Sequence, residues 1–185
     1  MDVWLSLLLW TTLSAEGLLG VGLLVSVLRP ERRVWPPPGR DSWQFWFVWL
    51  LFAVAVAGLT LLAVFDWDSF GFPGWLRYAV GLPMLVVGLL LAFWGSGVLG
   101  WRRTSGQAGE LKTDGLYRYS RNPQYVGDIL NFIGLVLFSN SSLALAPGLL
   151  AAALFFFWPF SEEPWLKERF GAAYERYCQR VPRFF

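Results

Sequence analysis

With no His and a single Cys among 185 residues, acid–base chemistry in this chain falls to carboxylates, tyrosines, lysines and one thiol. Zinc, haem and iron–sulfur centres, which need several imidazoles or thiolates converging, are excluded with it, so no metal partner is expected. Polar residues collect in three places. The first is Gly115-Leu116-Tyr117-Arg118-Tyr119-Ser120-Arg121-Asn122-Pro123-Gln124-Tyr125-Val126-Gly127-Asp128; the second is Ser161-Glu162-Glu163-Pro164; the third is Glu16, alone in an apolar run. Steps of three place Tyr125, Asp128 and Asn131 on one stripe of a helix. A carboxylate and a carboxamide on one face predict a polar pocket or interhelical hydrogen bonding. Asn122-Pro123 reads as a helix cap followed by a first-turn proline. Ser161 reads as a cap, with Glu162 and Glu163 in the first turn of the following helix complementing its dipole, or as one wall of a site. Glu16 shares a stripe with Thr12 and Gly20 and reads as a packed acid or as lining of a substrate tunnel. Cys178, with no second thiol, reads as packing.

The elements that must hold these residues are apolar. Hydrophobic residues make up 56% of the chain and charged ones 15%, against roughly 25% charged in soluble domains. Charge-poor runs at Val3–Leu28, Trp43–Phe65 and Tyr78–Trp101 are each long enough to cross a bilayer. The charge-free run Ile129–Ser161 is too long for one span, and its centre, Ser139-Asn140-Ser141-Ser142, is a turn signal. It predicts two antiparallel helices over Gln124–Ser139 and Leu143–Phe160. The expected fold class is therefore an all-α integral membrane protein with five transmembrane helices, followed by a short cytoplasmic amphipathic C-terminal helix on which Leu166, Phe170, Ala173, Tyr174 and Tyr177 share a face. Residues 1–185 form one membrane domain in this reading, with three spans in 1–101 and the loop, hairpin and last helix in 102–185. Gly17, Gly20, Gly22, Gly81, Gly88, Gly95 and Gly97 are expected where helices approach closely.

Fourteen of the 15 Lys and Arg fall in the loops after the first, third and fifth spans, Arg102 and Arg103 among them; Arg77 alone falls opposite. The positive-inside rule then puts the N-terminus outside and the C-terminus in the cytoplasm. Basic residues follow topology rather than forming a stripe, so nucleic acid is not an expected partner. Asp2 stands where a signal peptide would carry a basic residue, so the first helix is expected to be retained. The Pro-rich stretch Trp35–Gly39 reads as a stiff turn without a catalytic part. Hairpin geometry brings Arg121-Asn122 and Glu162-Glu163 together at the inner leaflet.

At these residues the chain resembles a known family. Gly115–Gly127, Glu162–Leu166 and Phe170–Phe184, roughly the last two fifths of the chain, are similar to the integral-membrane methyltransferases related to isoprenylcysteine carboxyl methyltransferase and the phospholipid methyltransferases. The resemblance implies S-adenosylmethionine (SAM), leaving as S-adenosylhomocysteine, bound on the cytoplasmic side under the C-terminal helix. It implies a lipid or lipophilic acceptor entering from the bilayer. Matching positions make Gly115, Leu116, Tyr117, Arg121, Asn122, Pro123 and Tyr125 the cofactor loop and Glu162 and Glu163 its other wall. Asp128 and Glu163 are then the candidate catalytic groups, and Glu16 and Asn131 the candidate substrate contacts. Asn122 stands where the family has His, which removes a proton relay there. Pro159-Phe160-Ser161 stands where the prenylcysteine enzymes carry an Arg for the substrate carboxylate. Two other classes remain: an NADPH-dependent membrane reductase of the sterol-reductase type, which Asp128 after Gly127 favours, and a non-catalytic membrane protein. A prokaryotic inner membrane, with the site facing the cytoplasm, is the expected location.

Overall fold

The computed structural model describes residues 2–100, 104–106 and 109–185. Trp101, Arg102 and Arg103, at the predicted end of the third span and the start of the next loop, lie outside the described residues. Among the described residues all regular structure is helical. α1 is Val3–Leu28, α2 Trp43–Phe65, α3 Leu82–Leu99, α4 Pro123–Ser139, α5 Ser142–Phe170 and α6 Ala172–Arg180. Four segments are long and apolar enough to cross a membrane: Val3–Leu28, Trp43–Phe65, Leu76–Val98 and Ser142–Phe170. The chain has the helices of an integral membrane protein. α4, with 17 residues, is about 25 Å long, below the roughly 30 Å of hydrocarbon. Length and composition thus identify four candidate crossings among the described residues, and α4 is shorter than these.

Two local departures have physical causes. The segment before α3 is wound as a π-helical stretch, Leu76–Gly81; Pro83 has no N–H to return to the carbonyl four residues back, and wider winding carries the chain past it. α5 does not stop near Phe160 but continues through Pro159 and Pro164 to Phe170. Ser161 therefore caps nothing. Its hydroxyl donates back to the Trp158 carbonyl at 2.8 Å, and Glu162 and Glu163 sit inside a continuous helix. The break comes at Gly171, whose φ of +50° suits a residue without a Cβ. The predicted amphipathic helix is thus split, with Leu166 and Phe170 on the end of α5 and Tyr174 and Tyr177 on α6. Together with Val181 and Leu111 they form a small apolar cluster of their own.

Small residues decide the tightest packing, as lipid gives no hydrophobic drive between helices. α3 and α4 approach most closely. A Cβ on Gly88 would lie 2.4 Å from the Asn131 nitrogen, one on Gly127 2.5 Å from the Ala92 nitrogen, and one on Gly134 2.3 Å from the Leu85 nitrogen. Gly81 and Gly95 join the same seam, and Gly20 and Gly22 meet side chains at ordinary or slightly tight distances. Gly17 and Gly97 face open space and take no part. Beside this seam α1, α2 and α5 enclose the main core, which includes Leu19, Leu59, Leu62, Phe155 and Trp158.

The end opposite the basic loops is closed by polar contacts. Asn140, left-handed at φ +53°, ends α4 as the turn signal predicts, and Ser141 caps α5 through the Ala144 N–H at 3.0 Å. The Asn140 carboxamide accepts from the N–H groups of Gly71 and Phe72 and donates to Asp68. Asp68 also pairs with Arg77, whose guanidinium lies over Trp67 and Tyr78. Asp66 accepts from Ser69, Ser141, Ser142 and the Leu143 N–H. Partial burial pushes the Asp66 carboxyl up, but those four donors outweigh it and leave it below the usual carboxylate range.

Candidate functional site

α4 and α5 pack as a hairpin, so the start of one and the far end of the other meet at the basic end of the molecule. Arg121 Nη1 lies 3.3 Å from Glu163 Oε1. Arg183, from the C-terminal tail, donates to both Glu163 oxygens at 2.8 and 2.6 Å and lies 4.0 Å over the Phe160 ring. Those hydrogen bonds to Glu163 hold the Arg183 guanidinium above its ordinary value. The tail is fastened by its backbone as well: Arg121 N–H donates to the Pro182 carbonyl at 2.9 Å and Asn122 Nδ2 to the Arg183 carbonyl at 3.1 Å. Asn122 thus occupies the cap position of α4 without capping it; its side chain holds the tail instead. α6 is tied to the loop by Tyr177, whose hydroxyl donates to the Tyr117 carbonyl at 2.7 Å, and burial pushes the Tyr174 phenol up.

The second glutamate faces the other way. Glu162 Oε1 accepts from the Trp35 indole N–H and from the Tyr125 hydroxyl. This joint stands between two compartments. On the basic side is a polar cleft of about 70 Å³ lined by Tyr117, Arg121, Asn122, Tyr125, Glu162 and Trp165, among others. On the membrane side is a chamber of about 310 Å³ walled by Trp35, Trp49, Phe52, Phe93, Phe155 and Trp158, with Asp128, Asn131 and Ser96 as polar points. Thr104, Gln124 and Tyr125 line both. α2 and α3 each contribute to the chamber but are not a packed pair, and Phe93, which lines it, is 75% exposed. The chamber is therefore open on the lipid-facing side between these helices.

Tyr117, Arg121, Asn122, Tyr125 and Glu162 line the cleft together, and Asp128 and Asn131 both line the chamber. Gly115, Leu116 and Pro123 are close in sequence but do not line the cleft, and Glu163 is turned to Arg121 and Arg183 behind it. Glu16 lies apart, 1% exposed, beside a separate pocket of about 10 Å³. Sequence reasoning missed Trp35, Thr104 and Trp165. The first two come from a Pro-rich turn and a loop with no periodic pattern, so only their partners mark them.

The model of the family described as phospholipid methyltransferase matches residues 76–173, just over half of the chain, from the start of the third span through the loop, α4 and α5. The chain belongs to the phospholipid methyltransferase family. The matched region contains every residue that α3, the loop, α4 and α5 contribute to the two compartments, whereas their other lining residues, Trp35, Pro36, Val48, Trp49 and Phe52, precede it. A steroid 5-alpha-reductase from Solanum lycopersicum is 29% identical over 102 residues, covering 55% of this chain and 40% of that protein. The chain thus spans well under half the length of that relative. No solved structure matches the chain significantly.

Proposed function

We propose that this chain is a SAM-dependent methyltransferase whose acceptor is a lipophilic molecule carrying a proton-bearing nucleophile, an amine or a hydroxyl. The observation that carries the reading is the pair of adjoining compartments: a polar cleft at the basic end and an aromatic chamber open to lipid, with Tyr125 in the wall of both. Family membership supports methyl transfer as the class of reaction.

The donor set of the cleft suits SAM. Glu162 offers carboxylate oxygens to ribose hydroxyls or an ammonium group, Arg121 offers a cation to a carboxylate, and Tyr117 and Trp165 offer faces to an adenine or a sulfonium. A cleft of about 70 Å³ is below the several hundred Å³ of a cofactor pocket, so seating SAM requires Glu162 to exchange its bonds to Trp35 and Tyr125 for bonds to the cofactor. Bound SAM supplies an electrophilic methyl group; the protein's part is alignment, dryness and the fate of one proton. Chamber walls from Trp35, Phe155 and Trp158 exclude water, Asn131 orients the nucleophile, and Asp128 accepts its proton. Among the described residues no Lys or Arg lines the chamber, so an acceptor carboxylate would meet Asp128 without a counter-charge. That favours the amine or hydroxyl over an isoprenylcysteine-like carboxylate. Glu163 in this reading positions Arg121 and the tail, and Gly115, Leu116 and Pro123 shape the loop that carries Tyr117, Arg121 and Asn122. Basic loops at the cleft end support a cytoplasmic site in this reading, with residues 1–185 acting as one membrane domain and α4 as a short fifth crossing.

Incubation of the purified protein with methyl-labelled SAM and lipid extract tests this: label enters an extractable lipid, and Asp128→Asn lowers the rate on the order of 100-fold or more while S-adenosylhomocysteine affinity stays within about twofold. Equal rates in the two proteins would remove Asp128 from the chemistry. The second reading, an NADPH-dependent reductase, is favoured by the similarity to the steroid 5-alpha-reductase; the same chamber would then hold the molecule to be reduced.

A further inference from the structure

The loop between α1 and α2 carries Arg29, Arg32, Arg33 and Arg40 within twelve residues, with Glu31 the one acid among them. None of these side chains lines the cleft or the chamber. Instead Glu31, Arg32 and Arg33, with Trp43 and Gln44 from the start of α2, wall a separate concavity of about 420 Å³. Its edges are fastened without a ligand. The Ser26 hydroxyl of α1 accepts from the Val34 and Trp35 N–H groups at 2.9 and 3.0 Å, which fixes the chain just after Arg33. Ser42 accepts from the Phe45 N–H at 3.3 Å and donates to the Gly39 carbonyl at 2.6 Å, which fixes the start of α2. A site held in this way binds without first being ordered.

Two guanidinium groups against one carboxylate leave the walls net positive, and the N-terminus of α2 adds the positive end of a helix dipole. Arg32 makes no ion pair among the described residues. Arg33 lies 3.6 Å from Glu168, in a pair whose side chains are 29% and 64% exposed, and so open a pair holds an arginine only weakly. Planar guanidinium groups suit a phosphodiester, and the Glu31 carboxylate suits hydroxyl donors beside it. The surface below decides what carries the phosphate. Trp43 heads a stripe that continues through Trp46 and Leu50, all three exposed, at steps of three and four along α2. As α2 is a candidate span, this stripe faces hydrocarbon, and the concavity above it lies at headgroup level. A soluble phosphate would use the arginines alone, whereas a phospholipid uses both surfaces.

We infer that this concavity is a binding site for an anionic phospholipid whose headgroup carries hydroxyls. Arg32 and Arg33 hold its phosphodiester, Glu31 accepts from the headgroup hydroxyls, and an acyl chain lies along Trp43, Trp46 and Leu50. The inference is independent of the methyl-transfer reading, because the cleft and chamber share no lining residue with the concavity.

Dioctanoyl phosphatidylglycerol, phosphatidylmethanol, phosphatidylcholine and phosphatidylethanolamine, together with glycerol phosphate, test the site. Each is titrated into the purified protein in one nonionic detergent, and affinity is read from the concentration dependence of the melting-temperature shift. Phosphatidylglycerol is expected to bind saturably and on the order of tenfold more tightly than either zwitterionic lipid. Phosphatidylmethanol, equally anionic but without headgroup hydroxyls, is expected to fall between them, and glycerol phosphate to give no shift over the same range. Arg32→Gln combined with Arg33→Gln is expected to abolish the preference for phosphatidylglycerol. Arg32→Gln alone, which breaks no ion pair, is expected to weaken it severalfold and serves if the double variant folds poorly. Arg176→Gln combined with Arg180→Gln removes the same charge from exposed positions on α6 and is expected to leave the preference intact. Equal binding of the anionic and zwitterionic lipids, or a glycerol phosphate shift as large as that of the lipid, would overturn the site. So would a preference lost as fully in the α6 variant as in the loop variants, since general surface charge would then account for it.

Discussion

Glu163 shows how a single side chain can be read correctly for place and incorrectly for orientation. Its neighbour Glu162 and the loop residue Arg121 are where hairpin geometry puts them, and all three are within one constellation. The carboxylate of Glu163, however, receives two hydrogen bonds from Arg183, a tail residue whose position no periodicity announces. The contact binds the tail to α5, with the Glu163 side chain 18% and the Arg183 side chain 33% exposed. Arg183→Ala removes both bonds and the stacking on Phe160. The expected result is a loss of about 1–3 kcal/mol, read as a lower melting temperature in detergent, and a tail cut more quickly by carboxypeptidase. An unchanged melting temperature would mean that the tail is held by its backbone bonds to Arg121 and Asn122 alone. Asp128 and Asn131 were legible from their three-residue spacing because they share a helix face. Trp35 was not, because its partner Glu162 is 127 residues away.

Elements were legible where one physical rule dominates. Apolar runs marked α1 and α2 to the residue, and the Ser139–Ser142 turn marked the hairpin, because a chain in lipid has few ways to reverse. The end of α5 was misplaced because Ser161 and the two glutamates read as the cap and first turn of a new helix, whereas the helix runs on to Phe170. Glycines were legible only in part, since composition cannot show which face of a helix has a neighbour. The α3–α4 seam makes that distinction testable. Gly88→Leu places side-chain atoms where the Asn131 backbone already lies and is expected to destabilise the protein by about 1–3 kcal/mol or to prevent folding. Gly97→Ala, facing open space, is expected to fall within about 0.5 kcal/mol of the parent. Similar melting temperatures for the two would contradict the seam. The opposite end of the hairpin has a pH signature. Asp66 is held below its ordinary range in the folded protein, so its contribution is fully present above the unfolded value of about 4 and is lost as pH falls through the lower folded value. Amide exchange at Leu143 and Ala144 is expected to rise, after correction for intrinsic rates, as pH drops from about 5 to about 3, and Asp66→Asn to flatten that dependence. A slope of the same size in the variant would assign the effect elsewhere.

At the scale of the whole molecule, the arrangement divides labour between two halves of the bundle. α4 and α5, with the loop before them and the tail after them, carry the polar cleft; α2, α3 and the Trp35 turn add the aromatic chamber and its opening to lipid. Charge distribution made the two ends of the bundle legible, because basic residues gather in the loops at one end. The chamber itself was not legible, as its walls come from side chains that read as ordinary span residues until α2 and α3 are seen to stand apart. What makes the assembly an enzyme in this view is the adjacency of the two compartments across Tyr125, with the cleft taking a sulfonium cofactor. Titration calorimetry of the protein in nanodiscs with S-adenosylhomocysteine and, separately, NADPH tests that most directly. Saturable S-adenosylhomocysteine binding that is lost or weakened on the order of tenfold in Glu162→Gln, with no heat from NADPH, is the predicted result. NADPH binding without S-adenosylhomocysteine binding would contradict it.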